Sequence, residues 1–159
     1  MRPLLLFFLL VNVPNLFAEE FSGKVINVID GNTLEVLSED NETIKVLLSE
    51  VDCPEEGQRF SEEARRFTMK LALKKKVTVE LKGKDRWGNK LAVVVLKNGV
   101  NLNNELVSKG LAWAYKAEER LVALEQNARD QKVGLWSESE VEAPWIYRRK
   151  QTMLAPKGR

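Results

Sequence analysis

With 159 residues, 44% of them apolar and 30% charged, the chain has the length and composition of one ordinary globular domain. Histidine is absent and cysteine occurs once, which excludes an intramolecular disulfide, a His-ligated zinc and any nucleophile built on a Ser–His or Cys–His pair. A net charge of +2 does not advertise a polyanion binder, so a nucleic acid would have to be held by local cation clusters such as Lys74-Lys75-Lys76, or Lys82, Lys84, Arg86 and Lys90 around Trp87.

The first eighteen residues differ from the rest. Arg2 precedes an unbroken apolar run from Pro3 to Val11, and a polar patch at Asn12, Pro14 and Asn15 leads to Ala18 and then to Glu19-Glu20. This is the layout of a secretory signal peptide ending at Ala18. The run is shorter than the ~20 apolar residues a membrane-crossing helix needs. The expected location is therefore secreted or periplasmic, with no stable membrane span after the leader is removed. Residues 19–137 are expected to form one domain, and residues 138–159 a C-terminal extension that is partly flexible.

From Phe21 to Val28 the chain reads as a strand. The turn signal Asp30-Gly31-Asn32 leads into an alternating strand from Thr33 to Leu37, and Glu39-Asp40-Asn41 turns into a third strand from Thr43 to Leu48. Ser61 is expected to cap a helix running to about Lys74, with Glu62 and Glu63 in its first turn and Ala64, Phe67 and Leu71 on its apolar face. Val77 to Leu81 alternates as a strand. Leu91 to Leu96 is nearly continuously apolar, as for a strand buried on both faces, and the loop Lys82 to Lys90 joins the two. Asn101 caps a short helix from Leu102 to Lys109 that Gly110 ends, and a third helix spans Lys116 to Lys132 with Leu121, Leu124 and Ala128 on one face. Beyond Ser137 the periodicity fades, and Arg148 to Arg159 reads as a basic tail. Five short strands and about three helices make a small α+β domain around a five-stranded Greek-key barrel of the oligonucleotide- and oligosaccharide-binding (OB) type.

Three segments carry the candidate chemistry: Asp30-Gly31-Asn32-Thr33, Asp52-Cys53-Pro54-Glu55 and Asp85-Arg86-Trp87-Gly88-Asn89. Their order and spacing resemble the staphylococcal nuclease (thermonuclease) family, in which an Asp-Gly-Asp-Thr turn, an Arg five residues before Asp-x-Pro-Glu, and an Asp-x-Tyr-Gly-Arg follow one another. The segments Gln58-Arg59-Phe60-Ser61, Asn101-Leu102-Asn103, Gly110-Leu111-Ala112-Trp113 and Gly134-Leu135-Trp136 match in the same order, so the likeness covers nearly all of the chain after the leader. Pro144-Trp145 with Arg148-Arg149 resembles the tail of many secreted relatives.

The resemblance implies a calcium-dependent hydrolase of phosphodiester bonds in DNA or RNA. It places Asp30, Asn32, Asp52 and the backbone carbonyl of Cys53 at the calcium cage, and Glu55 beside the attacking water. Calcium accepts six to eight oxygen ligands, and site charge tunes its affinity, so Asn32 in place of an Asp predicts weaker binding. Leu47 and Asn89 occupy the places of the two phosphate-binding arginines. A guanidinium is always ionised and offers a rigid fork to phosphate oxygens, whereas neither replacement carries charge, and turnover is expected to be weak or lost.

Two cations are candidates to substitute. Lys45 lies two residues before Leu47, on the same strand face and about 7 Å away, and Arg86 lies beside Asn89. Lys84, Trp87, Asn89, Lys90 and Tyr115 are the candidate substrate-binding residues, with the aromatic rings offering stacking surfaces for bases. The alternative reading is a noncatalytic OB-type module that binds nucleic acid or protein.

Overall fold

Val25, Val28, Leu34, Val36, Val46 and Leu48 are all buried, two apart in the second and third strands and three apart in the first, where the register shifts between Val25 and Asn27. The period of two is what a sheet with one covered face demands. The computed structural model describes residues 19–154; the expected leader lies outside the described residues. Its elements are β1 (Glu20–Val28), β2 (Thr33–Ser38), β3 (Thr43–Leu48), β4 (Val51–Asp52), α1 (Ser61–Ala72), β5 (Lys76–Lys84), β6 (Lys90–Leu96), α2 (Leu102–Ser108), β7 (Trp113–Ala114), α3 (Glu119–Asp130) and α4 (Pro144–Leu154), with a 3₁₀ turn at Gly134–Ser137 before α4.

Five strands close into a barrel in the order β1-β2-β3-β6-β5, while β4 and β7 form a separate antiparallel pair. β1 pairs antiparallel with both β2 and β5, and β2 with β3. Closure comes from the one parallel contact, β3 against β6, which sets Val46, Leu47 and Leu48 opposite Lys90, Leu91 and Ala92. This is the α+β, OB-type barrel expected, with four α-helices among the described residues instead of about three.

Several local expectations change. Ser61 is the first residue of α1, not its cap; the cap position is Phe60, in the left-handed region at φ 66° and without a side-chain hydrogen bond to the helix. Phe60 packs against both apolar clusters of the molecule, so packing has taken precedence there over capping. Glu62 and Glu63 still place negative charge at the positive helix end.

In β6, Ala92, Val94 and Leu96 are buried and the residues between them only half-buried, so the strand covers one face, not two. β5 runs on to Lys84, which shortens the expected Lys82–Lys90 loop to a hairpin tip. Asn101 does cap α2, its side-chain oxygen accepting from the Asn104 N–H at 3.1 Å. α3 is shorter than expected at each end but buries Leu121 and Ala128 as its spacing requires.

The main core fills the barrel and its contacts with α1 and α2. A second cluster of Trp113, Ala128, Leu135, Trp136 and Ala143 joins α3, the 3₁₀ turn and the approach to α4. Trp113 and Trp136 meet edge to face, 5.4 Å between centroids, within the range where aromatic pairs attract beyond their area burial. α4 itself, in the stretch that shows no apolar periodicity, rests on Trp145, whose ring lies 6.2 Å from Trp113 and 5.1 Å from Tyr115.

Candidate active site

The turn after β1 and the loop after β4 meet because Gly31 has no side chain. A Cβ there would lie 2.8 Å from both Cβ and Sγ of Cys53 and 2.9 Å from Cβ of Ala64. The contact is pinned from α1, where the buried Thr68 hydroxyl donates to the Gly31 carbonyl at 2.7 Å. Within the turn, Asp30 Oδ1 accepts from the Asn32 N–H at 2.9 Å, and Asn32 Oδ1 accepts from the Cys53 N–H at 3.4 Å. Asp30 and Asn32 are thus drawn against Cys53, and so beside Asp52, at one corner of the barrel.

Asp52 is held by the short β4–β7 pair, opposite Trp113, and is buried. A buried carboxylate is tolerated when it is paired and hydrogen-bonded. Its partner is Arg148 of α4, whose Nη1 donates to Oδ1 at 3.0 Å and whose Nη2 donates to Oδ2 at 2.8 Å. This is the two-pronged geometry that makes arginine–carboxylate pairs strong. The same Nη1 also donates to Glu55 Oε1, so one guanidinium bridges both carboxylates of the Asp-x-Pro-Glu motif. The hydrogen bond to Asp52, helped by that to Glu55, raises the Arg148 pKa above its already high ordinary value in spite of partial burial. The Cys53 thiol is buried, and burial first, then the charges of Asp30, Asp52 and Glu55, push its pKa well above 9.0. It is a neutral packing group, not a nucleophile.

Neither expected substitute cation forms an ion pair or hydrogen bond with these carboxylates among the described residues. Lys45 is exposed on β3 opposite Glu35. Arg86 instead lies over the ring of Trp87, 4.0 Å from its centroid, a favourable cation–π distance.

The two uncharged replacements sit at one end of the barrel, Leu47 on β3 just past Val46 and Asn89 in the hairpin tip just before Lys90, the residue paired with Val46. The amide of Asn89 faces Asp85: Nδ2 donates to Oδ2 at 2.8 Å, while the N–H groups of Trp87 and Asn89 both donate to Oδ1 at 2.9 Å. These bonds shape the hairpin tip and, with the Asn89 side chain as the largest influence, lower the Asp85 pKa below 3.8. At that tip Trp87 is 70% exposed, beside exposed Lys84 and half-buried Lys90. Tyr115 is half-buried, with one neighbour in Trp145 and another in Lys116, whose ammonium is 5.4 Å from its centroid.

The sequence names Arg148 only within the tail resemblance and gives it no role at the site, because it lies 96 and 93 residues beyond its two partners in a stretch with no apolar period. One signal was available: Pro144 is a favoured first residue of a helix, and it stands four residues before an arginine pair.

The family model described as "Staphylococcal nuclease homologue" matches residues 45–138. Similar relatives are "Protein ParB" of Escherichia coli, 34% identical over 87% of this chain and 85% of the relative, and "Micrococcal nuclease" of Shigella flexneri, 35% identical over 89% and 87%. An "Uncharacterized endonuclease" of Haemophilus influenzae is 35% identical over 84% of this chain and 76% of its own length. With the barrel, the motif order and this extent of identity together, the chain belongs to the family of staphylococcal nuclease homologues.

Proposed function

We propose that the protein is a nuclease that hydrolyses phosphodiester bonds of DNA or RNA at the corner formed by Asp30, Asn32, Asp52 and Glu55. The observation that carries this reading is that Asp52 and Glu55 of the Asp-x-Pro-Glu loop are joined by one guanidinium, brought in by α4. Hydrolysis needs a water oxygen to attack phosphorus while its proton leaves. Glu55, half-buried at the cluster's edge, accepts that proton as general base. The bond from phosphorus to the leaving sugar oxygen then breaks, that oxygen keeps the electron pair and takes a proton from solvent, and Glu55 returns its proton to solvent. The tip carrying Lys84, Trp87 and Lys90 supports the strand by phosphate contacts and by stacking of a base on the indole, worth about 1 to 3 kcal/mol. The catalytic unit is residues 19–137, with residues 138–159 as an extension that supplies Arg148.

The family resemblance implies calcium, and the donors here are the hard oxygens it prefers. As arranged, they do not fit a calcium cage. Both Asp52 oxygens accept from Arg148, the Asn32 oxygen accepts from Cys53, and one Asp30 oxygen accepts from Asn32. Among the described residues no three acidic, His or Cys side chains converge as a metal-binding group. The proposed steps are therefore carried by the chain's own residues.

The test is incubation of the purified protein with single-stranded DNA and RNA, with calcium, other divalent ions or chelator. Cleavage that Glu55→Gln abolishes supports the reading, and intact substrate at high protein concentration overturns it. Retained oligonucleotide binding without cleavage is instead the result expected of a noncatalytic module, a reading favoured by the uncharged Leu47 and Asn89. Export through Met1 to Ala18, with cleavage after Ala18, is also proposed; protein found only in the cytoplasm counts against export, and an N-terminus other than Glu19 on exported protein counts against that cleavage position. No helix among the described residues is long and apolar enough to cross a membrane.

A further inference from the structure

We infer that Arg148 is the phosphate-binding cation of this site, supplying from helix α4 the charge that Leu47 and Asn89 do not. The inference rests on the nuclease reading above and assigns a residue to it.

Four observations converge on Arg148. First, it is the cation that reaches the carboxylate pair: its guanidinium bonds both Asp52 oxygens and Glu55. Second, it has capacity left. A guanidinium carries five N–H donors; three are engaged with carboxylates, so two are free to meet phosphate oxygens, and the side chain is 44% exposed.

Third, it is placed firmly. Gln58 accepts from the Glu55 N–H and donates to the Glu142 carbonyl, each at 2.8 Å, tying the catalytic loop to the approach to α4. The Tyr147 hydroxyl donates to the Glu56 carbonyl at 3.4 Å. It lies so close to Gly57, which has φ +90°, that a Cβ there would be 2.8 Å from the hydroxyl oxygen. Trp145 anchors the helix on Trp113 and Tyr115.

Fourth, the charges suit a role that strengthens during reaction. With Asp52 and Glu55 ionised, the cluster of three carries a net negative charge and holds a resting phosphate only through the two remaining guanidinium donors. When Glu55 takes the proton of the attacking water, the cluster becomes neutral and Glu55 loosens its hold on Nη1. At the same moment negative charge builds on the phosphate oxygens, and the released donor strength passes to them. An interaction stronger in the transition state than in the ground state is the kind that raises kcat.

The experiment uses the full chain and the variants Arg148→Ala and Arg148→Lys, with thermal unfolding to identify folded protein. For Arg148→Ala, kcat on a fluorescent oligonucleotide should fall about 10²- to 10³-fold, the cost of losing one oriented donor at a developing charge. Added guanidinium ion should restore part of it where equal sodium does not. The dependence of log affinity on log salt should lose about one unit of slope. Arg148→Lys keeps the charge without the fork and should fall between; it also serves if the alanine variant does not fold.

A folded Arg148→Ala protein that cleaves or binds as well as the unaltered chain, or better, overturns the assignment and marks the contact as a structural pair or a brake. So does loss of activity with no response to guanidinium and an unchanged salt slope. If the unaltered protein neither cleaves nor binds, the nuclease reading and this inference fall together; if it binds without cleaving, the salt slopes alone decide.

Discussion

Replacing Asn103 with Leu should destabilise the protein far more than a single surface-sized polar deletion. The parallel ladder that closes the barrel ends with Leu48 opposite Ala92, and β3 then leaves toward the Asp52 loop. Val94, further along β6, has no β3 residue opposite it, and its N–H donates instead to Asn103 Oδ1 at 3.2 Å. The Asn103 amide donates in turn to the Ser49 carbonyl at 2.8 Å and the Ala92 carbonyl at 3.3 Å. Asn103 is 1% exposed, so one buried amide from α2 substitutes for the missing strand.

The magnitude follows from which groups are orphaned. The Ala92 carbonyl keeps the Ser49 N–H at 2.8 Å, so it loses little. The Val94 N–H and the Ser49 carbonyl lose the partner that Asn103 supplies, and each buried orphan costs about 1 to 3 kcal/mol. Leucine returns about 1 to 2 kcal/mol through its extra apolar burial. The net expected loss is about 2 to 3 kcal/mol at the middle of these ranges, a large part of the ~5 to 15 kcal/mol that separates folded from unfolded domains, and the thermal midpoint should fall by roughly 5 to 10 °C. Urea unfolding measures it, with a lower midpoint at unchanged slope, and the Val94 amide should lose hydrogen-exchange protection more than its sheet neighbours. A midpoint within about 0.5 kcal/mol of the original would refute the claim that this amide completes the barrel.

Gly31→Ala should cost about 1 to 3 kcal/mol, as overpacking does, because the new Cβ meets Cys53 and Ala64 below 3.0 Å; equal urea midpoints would show that the two loops have room to part. Cys53, whose thiol is pushed up mainly by burial, stays protonated in the folded state at pH values where the unfolded thiol ionises. Folded protein then binds the extra proton, so stability should fall as pH rises above about 9, by up to ~1.4 kcal/mol per pH unit; Cys53→Ala should remove that part of the slope, and an identical profile in the variant would count against it. Asp85 has the opposite sign: its lowered pKa contributes stability above 3.8 that is lost as pH falls through the folded-state value. In Asn89→Ala the Asp85 carboxyl, followed by NMR, should titrate closer to 3.8, and no movement would mean that the Asn89 amide is not what holds it.

The barrel was legible because most of its strands alternate apolar and polar residues with turn residues between them, while the apolar run Leu91 to Leu96 marks a strand without saying which face it buries. Asp30-Gly31-Asn32 and Glu39-Asp40-Asn41 mark the first two turns, and Trp87, amid Lys84, Arg86 and Lys90, is exposed at the hairpin tip. The meeting of Asp30, Asn32 and Cys53 was legible only through the motif order, since no local pattern states that a missing Cβ at Gly31 lets two loops touch. Helix α4 escaped because it is held by a few large contacts at one end, Trp145 against Trp113 and Tyr115, and not by an apolar stripe that repeats every three or four residues. Ser61 was misplaced for a related reason: a capping preference worth about 1 kcal/mol yields where an aromatic residue at Phe60 joins two clusters.

Where the cation is mounted changes how the site depends on the fold. An arginine at the position of Leu47 would ride on β3, with its backbone fixed in the barrel ladder between β2 and β6. Arg148 rides on a helix held through Trp145 on the second apolar cluster and through Tyr147 and the Gln58–Glu142 link on the loop after β4, so its position depends on contacts outside the barrel ladder. Asp52 needs this partner for folding reasons alone, because a buried carboxylate left unpaired is costly. The same contact that satisfies Asp52 therefore also keeps α4 docked, and release of the helix would leave two carboxylates without their cation. Conditions that undock α4 while the barrel persists should remove phosphate binding before global unfolding is detectable. Protection of the α4 amides and oligonucleotide affinity should accordingly decline together along a urea titration, ahead of the β1 to β6 amides. Affinity that survives loss of α4 protection would place the binding charge elsewhere, with the hairpin tip of Lys84, Trp87 and Lys90 as the alternative.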